Sequence, residues 1–364
     1  MYTSLGLTWV GISYLFHQYL FSDKTDRRKI DAVFKNIRYG FKDQFPKLIF
    51  KRIKNDYSVY GYSLPYGLID SPKIEEIISK TLNKSVEISM SNGNLIIKVY
   101  NNNLKTRYSY SWEISKSVPI GYSQEGVIYH DFDEIPHMTI AGMTRQGKTV
   151  FLKLILAHIL NNDESAEVFI LDLKGGLEFG RYAKLKQVRE IADDVEKANT
   201  TLDRLLSDMD NDMASFKRRG YNNILNTGIK RRTYIVIDEA AELDKYSQNM
   251  LSKIARIGGA LGYRVIFATQ YPTADTLPRQ IKQNSDAKIS FRLPTATASR
   301  VAIDETGAEQ LEYPGRAIYR THDRKVIQVP YITDKEIEEK LRRFKVDSSK
   351  EENTEAREDF IEFE

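Results

Sequence analysis

Cysteine is absent from the 364 residues. That excludes structural disulfides and thiolate metal sites, and it fits a reducing compartment. Histidine is scarce as well, with five in the chain. No cluster has metal-ligand spacing, which argues against a metal-dependent nuclease. Net charge is small: 54 Lys and Arg against 50 Asp and Glu leave +4, too little alone to imply nucleic-acid binding. There is no internal repeat. Charge is missing altogether from the first 22 residues, which hold no Asp, Glu, Lys or Arg. "LGLTWVGISYLFHQYLF" is apolar and aromatic, broken by Thr8, Ser13, His17 and Gln18. As a helix, residues 1–22 would reach about 33 Å, just enough for a bilayer core. No basic region precedes it and no A-x-A follows, so a cleaved signal is not expected. Two readings stand. One is membrane contact through residues 1–22, with "DKTDRRK" on the cytoplasmic side. The other is a buried or interfacial amphipathic helix in a cytoplasmic protein.

What is present is unevenly spread. Hydrophobic content of 41% and charge of 29% are ordinary for a soluble protein. Lys24 to Lys54 holds eleven Lys or Arg against three Asp, and the last eighteen residues hold eight acids against two bases. Residues 24–45 read as a basic helix, so residues 1–45 form an N-terminal region of apolar segment and helix. Residues 46–117 suggest a small α+β domain. There, "SPKIEEIISKTLNK" has helical spacing, and "SVEISMSNGNLIIKVY" predicts a hairpin around Asn92-Gly93. "RYSYSWEI" continues the strand alternation. From Val118 the texture changes. Apolar runs, "HMTIAG", "AEVFILDL", "TYIVIDEA", "YRVIFATQ" and "AKISFRL", alternate with helical stretches. That pattern predicts an α/β domain over 118–344 with a mainly parallel sheet covered on both faces. Residues 345–364 read as an acidic, disordered tail.

"IAGMTRQGKTVFLK" carries the chemistry. It joins a strand candidate to a helix candidate and has the frame of a phosphate-binding loop. Gly142, Met143, Thr144, Arg145, Gln146, Gly147, Lys148, Thr149 and Val150 are the candidate nucleotide-binding residues. Gly142 permits the turn and Gly147 lets backbone N–H groups close on phosphates. Lys148 reaches the β- and γ-phosphates, and Thr149 offers its hydroxyl to Mg²⁺. Arg145 fills a variable position and reads as a solvated loop residue. "TYIVIDEAAEL" supplies the second part. An Asp at a strand end holds Mg²⁺ in phosphate-loop ATPases, which assigns Asp238. Glu239 is placed to deprotonate the attacking water. The competing reading of two adjacent acids is a helix N-terminus. Gln270, ending "YRVIFATQ", contacts the γ-phosphate or the attacking water, or else serves as turn chemistry. The cofactors implied are ATP and Mg²⁺.

Together these motifs resemble the FtsK/SpoIIIE family of DNA-translocating ATPases. The resemblance runs in order from about Ile120 to Pro330. It includes Pro136-His137 before the loop, "FILDLKGGLEFGRY", "DMDNDMASFKRRGYNNILNTG", and "DAKISFRLPTATASRVAIDETGAEQLEYPGRAIYR" with its Ser299-Arg300 and Gly307-Ala308-Glu309. The small preceding domain resembles that of coupling proteins of Gram-positive mobile elements. The resemblance implies a RecA-like motor, a homo-oligomeric and hexameric ring, double-stranded DNA as cargo, and a relaxase or similar transfer protein as partner. After Pro330 only a short helix and the tail follow, so steering by DNA sequence is not expected. The family's motor often carries an arginine where Gly259 stands. Arg256, Arg300 and Arg292 are therefore the candidates for an arginine that completes a neighbour's ATP site. Two alternatives differ in class: a viral genome-packaging ATPase of the wider HerA–FtsK clan, and a nucleotide-gated DNA-binding scaffold.

Overall fold

The computed structural model describes residues 25–68 and 73–346, so the N-terminal apolar segment and most of the acidic tail lie outside the described residues. The chain divides into two compact units, Met1–Leu104 and Lys105–Glu364.

In the first unit the elements follow as α1 (25–36), β1 (Lys47–Ile53), β2 (Tyr57–Ser63), α2 (Ile74–Leu82), β3 (Val86–Ser91) and β4 (Asn94–Tyr100). The strands form an antiparallel sheet in the order β1-β2-β4-β3. Alternation places Tyr60, Tyr62, Leu95, Ile97 and Val99 on one face. There they pack with Ile30, Val33 and Phe34 of α1 and with Ile74, Ile78 and Leu82 of α2. The spacing of these helix residues gives each helix one apolar stripe. The basic helix is shorter than its charge pattern suggests. It stops at residue 36, and Arg38, Lys42 and Asp43 take positive φ. This reversal lets Tyr39 stack on Phe34 at 5.7 Å.

The second unit contains β5 (Val118–Ser123), β6 (Gly126–His130), β7 (Met138–Ala141), α3 (Lys148–Asn162), β8 (Ala166–Asp172), β9 (Val188–Ala192), α4 (Val195–Arg219), β10 (Arg232–Asp238), α5 (Lys245–Leu261), β11 (Tyr263–Thr269), α6 (Arg279–Asn284), β12 (Ala287–Phe291), α7 (Ala296–Ile303), β13 (Arg316–Arg320), β14 (Arg324–Gln328) and α8 (Asp334–Leu341). They build a ten-stranded sheet in the order β6-β5-β14-β13-β12-β7-β11-β10-β8-β9. From β12 to β9 every pairing is parallel. The β13, β14, β5 and β6 strands extend this α/β sheet antiparallel. Every residue of β7, β10 and β11 is buried, as strands covered by helices on both faces must be. Leu152, Ile155 and Leu156 of α3 lie in the core on one face, and Leu202, Leu251 and Ile254 of α4 and α5 in that on the other.

"RYSYSWEI" is not a strand. Its only ladder contact is the single bridge Ser109↔Tyr331. The alternation records one-sided packing instead: Tyr110 is buried, and its hydroxyl meets His158 Nδ1 at 2.6 Å. Where β10 and β11 begin, Asp133 Oδ1 accepts from Arg232 Nε at 2.7 Å and from Arg264 Nη2 at 2.8 Å. Burial pushes the Asp133 carboxyl up, and the two guanidinium hydrogen bonds outweigh it and hold it below the usual carboxylate range. Nearby, His137 Nδ1 accepts the Val265 N–H at 3.0 Å. Burial, with the Arg264 charge, pulls the His137 pKa down to about 4.

Candidate nucleotide site

The parallel strands end together at one edge of the sheet. Thr269 pairs with Ala141, and Asp238 with Asp172. Beyond Ala141 the chain forms the loop, tied on both sides: Gly142 N–H donates to Thr269 O at 3.3 Å and Met143 N–H to Arg292 O at 3.0 Å. Gly142 is pressed on Phe291, whose Cβ would lie 2.6 Å from any Cβ added there. Gly147, at φ 112°, caps α3 in a conformation that side chains avoid. No acidic residue occupies the first turn of α3, so the partial positive charge of that helix end is left for an anion. Lys148 opens the helix and is 4% exposed. Arg145 is exposed, and its φ of 64° puts a non-glycine residue in the left-handed region.

Lys148 meets the two carboxylates singled out in the sequence. Its Nζ lies 2.5 Å from Asp238 Oδ1 and 3.7 Å from Glu239 Oε2. Both acids are buried, at 1% and 4% exposure. Glu239 does not open an α-helix. It takes φ 63° and ψ 62° just after β10, ahead of a short 3-10 turn. A left-handed non-glycine residue costs about 1–3 kcal/mol and persists only where its surroundings hold it. Here they do. Glu239 Oε1 accepts the Gln270 N–H at 3.1 Å and the Thr269 hydroxyl at 3.3 Å, and Oε2 lies 3.2 Å from Lys174 Nζ. Gln270 Oε1 in turn accepts from Thr144 Oγ1 at 3.4 Å.

Asp238 Oδ2 is buried without a hydrogen-bond partner. An orphaned carboxylate oxygen is costly unless a cation or bound water completes it. Together with half-buried Thr149, the second residue of α3, it fits Mg²⁺. That ion is commonly held by one or two protein oxygens plus substrate phosphates and water. Among the described residues no group of three or more His, Cys, Asp or Glu could hold a metal ion.

A cleft of about 570 Å³ opens beside the loop. Met143, Thr144, Arg145, Gly147, Lys148, Thr149, Val150 and Gln270 line one side. The other side was not anticipated from sequence: Arg107, Tyr313, Gln328 and Tyr331. Arg107 lies over the Tyr331 ring at 4.5 Å. Tyr313, in the turn-like "YPG" at 313–315, falls within the last segment quoted for the resemblance, while Arg107, Gln328 and Tyr331 belong to no motif. Gly315 N–H donates to Gln146 O at 2.8 Å, which brings them to the loop.

The candidate arginines are elsewhere. Arg256 lies on α5, Arg300 on α7 and Arg292 just past β12; all three are exposed. None lines the cleft, and among the described residues none forms an intrasubunit ion pair. At Gly259 an added Cβ would lie 3.2 Å from Pro136 Cγ and 3.4 Å from His137 Nε2, so α5 approaches the strand entry closely there.

Residues 111–309, more than half of the chain, match the model of the FtsK/SpoIIIE family. The DNA translocase FtsK of Leptospira interrogans is 28% identical over 254 residues, covering 63% of this chain and 27% of that protein. The DNA translocase FtsK of Lactiplantibacillus plantarum is 27% identical over 248 residues, covering 61% and 31%. The chain thus spans roughly a third or less of the curated relatives it matches. Among solved structures, the pCW3 conjugation coupling protein TcpA, in a monomer form with ATPγS, superposes with a TM-score of 0.63 at 23% identity, covering 87% of this chain and 99% of that one. The Type VII secretion ATPase EccC of Thermomonospora curvata gives 0.55 at 22% identity, covering 67% and 33%. Fold and loop agree with the family match across the motor region, and the chain belongs to the FtsK/SpoIIIE family.

Proposed function

We propose that this protein is an ATP-driven DNA translocase, a coupling ATPase that moves double-stranded DNA in plasmid or conjugative transfer, with residues 118–344 as its motor. The observation that carries the ATPase reading is the convergence of Lys148, Asp238 and Glu239 at the acid-free N-terminus of α3. In this reading Lys148 and the loop amides clamp the phosphates. Glu239 takes the proton of the water that attacks the γ-phosphorus, and ADP is the leaving group. Asp238 and Thr149 would hold Mg²⁺, which when bound offsets the phosphate charge. Gln270, bonded to Thr144 and donating to Glu239, is placed to sense the γ-phosphate. Glu239 also separates this reading from a nucleotide-gated scaffold, which needs no base. The cargo, the ring and the transfer role rest on the family and on the names of its relatives, the DNA translocases and the conjugation coupling protein. A relaxase is the partner such a role implies. Cytoplasmic placement is proposed with membrane association through residues 1–22; among the described residues no helix is long and apolar enough to cross a membrane. The test is ATP turnover with and without duplex DNA, with particle imaging for rings. Turnover that rises with duplex DNA in ring-shaped particles supports the proposal. Turnover indifferent to DNA sinks the translocase, and no turnover sinks the ATPase.

A further inference from the structure

Resting on that reading, we infer that Lys174 is a positioning residue, a latch that parks the Glu239 carboxylate away from the attacking water. A general base needs a lone pair free to face its proton donor. In Glu239 only Oε2 accepts no hydrogen bond, and that buried oxygen is faced by two ammonium groups. Thr269 and the Gln270 amide hold Oε1, and the ammonium groups of Lys174 and Lys148 face Oε2 at 3.2 and 3.7 Å. Lys148 has a second claim on it, because ATP phosphates compete for the same ammonium. Lys174 has no such role. It lies on the loop after β8, is partly exposed, and does not line the nucleotide cleft.

The loop is built to hold Lys174 and to let it go. Asp172 Oδ2 anchors its far side, accepting the N–H groups of Glu178 and Phe179 at 3.1 Å each. Between anchor and latch stand Gly175 and Gly176, at φ 75° and 71°. Paired glycines can change φ and ψ at little steric cost, so Lys174 can swing out while β8 and its Asp172 anchor stay in place. Glu178 also reaches Lys153 of α3 at 2.9 Å. The same short loop therefore touches both the phosphate-loop helix and the catalytic carboxylate.

Three proteins test this: wild type, Lys174→Ala and Lys174→Arg, assayed as full chains without DNA. Lys174→Ala is expected to raise basal kcat by roughly fivefold, with KM for ATP unchanged, because freeing one buried carboxylate from its ion pair removes a restraint on the base and not on binding. Lys174→Arg, which keeps the charge, is expected to restore most of the suppression. A fall in kcat for Lys174→Ala, or no change, overturns the latch. Hydrogen exchange gives a readout that needs no turnover. Amides of residues 174–180 should exchange at least about threefold faster in both Lys174→Ala and Glu239→Gln than in wild type. Unchanged protection overturns the latch even if no variant hydrolyses ATP, and faster exchange in a chain without turnover keeps the latch while the ATPase reading fails.

Discussion

Single residues divide the ATP site by task. Lys148→Ala is expected to abolish tight ATP binding, because in the proposed mechanism the buried ammonium at the start of α3 clamps the phosphates. Glu239→Gln should bind ATP and stop turning it over, because in the proposed mechanism it removes the base and leaves the phosphate clamp. Equilibrium binding of a fluorescent ATP analogue beside steady-state turnover checks both, and wild-type turnover by Glu239→Gln refutes the assignment. A second residue prediction concerns His137 and acid. Its folded pKa of about 4 lies below the unfolded value of about 6.5. Below pH 6.5 the unfolded chain takes up a proton that the folded chain refuses. The stabilisation is therefore complete above that pH and drains away as pH falls from 6.5 toward 4. At pH 5 the loss amounts to about 2 kcal/mol. Gln at 137 keeps an acceptor for the Val265 N–H and cannot titrate. Urea midpoints measured from pH 7 to 5 should fall less for His137→Gln than for wild type; equal falls remove His137 from the account.

Elements were legible where burial wrote a simple pattern. The β7, β8, β10, β11 and β12 strands are near-continuous apolar runs because both faces are covered, and each lies where its run predicted. The Asn92-Gly93 hairpin was legible from its turn. Three things were not. The alternation of "RYSYSWEI" came from packing on one side without a strand partner. The antiparallel strands beyond β12 carry no motif that fixes their order. Lys174 meets Glu239 only because two neighbouring strands end at one edge, a contact across sixty-five positions that no local pattern encodes. Gly258 is a further case, since mid-helix glycine usually weakens a helix by about 1 kcal/mol relative to alanine. Here an added Cβ would lie 2.9 Å from Tyr263 Cβ and 3.3 Å from Ile254 Cγ2. Tyr263 starts β11 and cannot give way cheaply. Gly258→Ala should therefore destabilise by about 1–3 kcal/mol despite its better helix propensity. A higher melting temperature than wild type would show that α5 lifts off the sheet more easily than this packing implies.

At the scale of the whole molecule the proposal needs DNA and a ring. A motor that moves along DNA must hold phosphates and ignore bases. Lys217, Arg218 and Arg219, exposed in the last turn of α4, are candidate contacts, with the basic stretch from Lys24 to Lys54. Affinity should tolerate sequence and fall steeply with salt, by a slope of about 0.9 per phosphate neutralised. Replacing the three α4 residues with Ala should flatten that slope, and an affinity indifferent to salt would sink the idea. The ring makes a sharper demand. The charge developing on the γ-phosphate needs a positive partner beyond Lys148, and such arginines supply large rate factors in phosphoryl transfer. Gly259 cannot provide it. Arg256, Arg300 and Arg292 are exposed, form no intrasubunit ion pair among the described residues and stand away from their own cleft, as a residue serving a neighbour would. A subunit with Lys148→Ala keeps its arginines, and a subunit with Arg256, Arg300 or Arg292 replaced by Ala keeps its phosphate loop. Each alone should be inactive if that arginine is essential. Mixed in one ring, some interfaces pair an intact loop with an intact arginine, so ATPase activity should partly return for the arginine that acts in trans. No recovery for any of the three, with ring assembly confirmed by imaging, would mean that each subunit completes its own site.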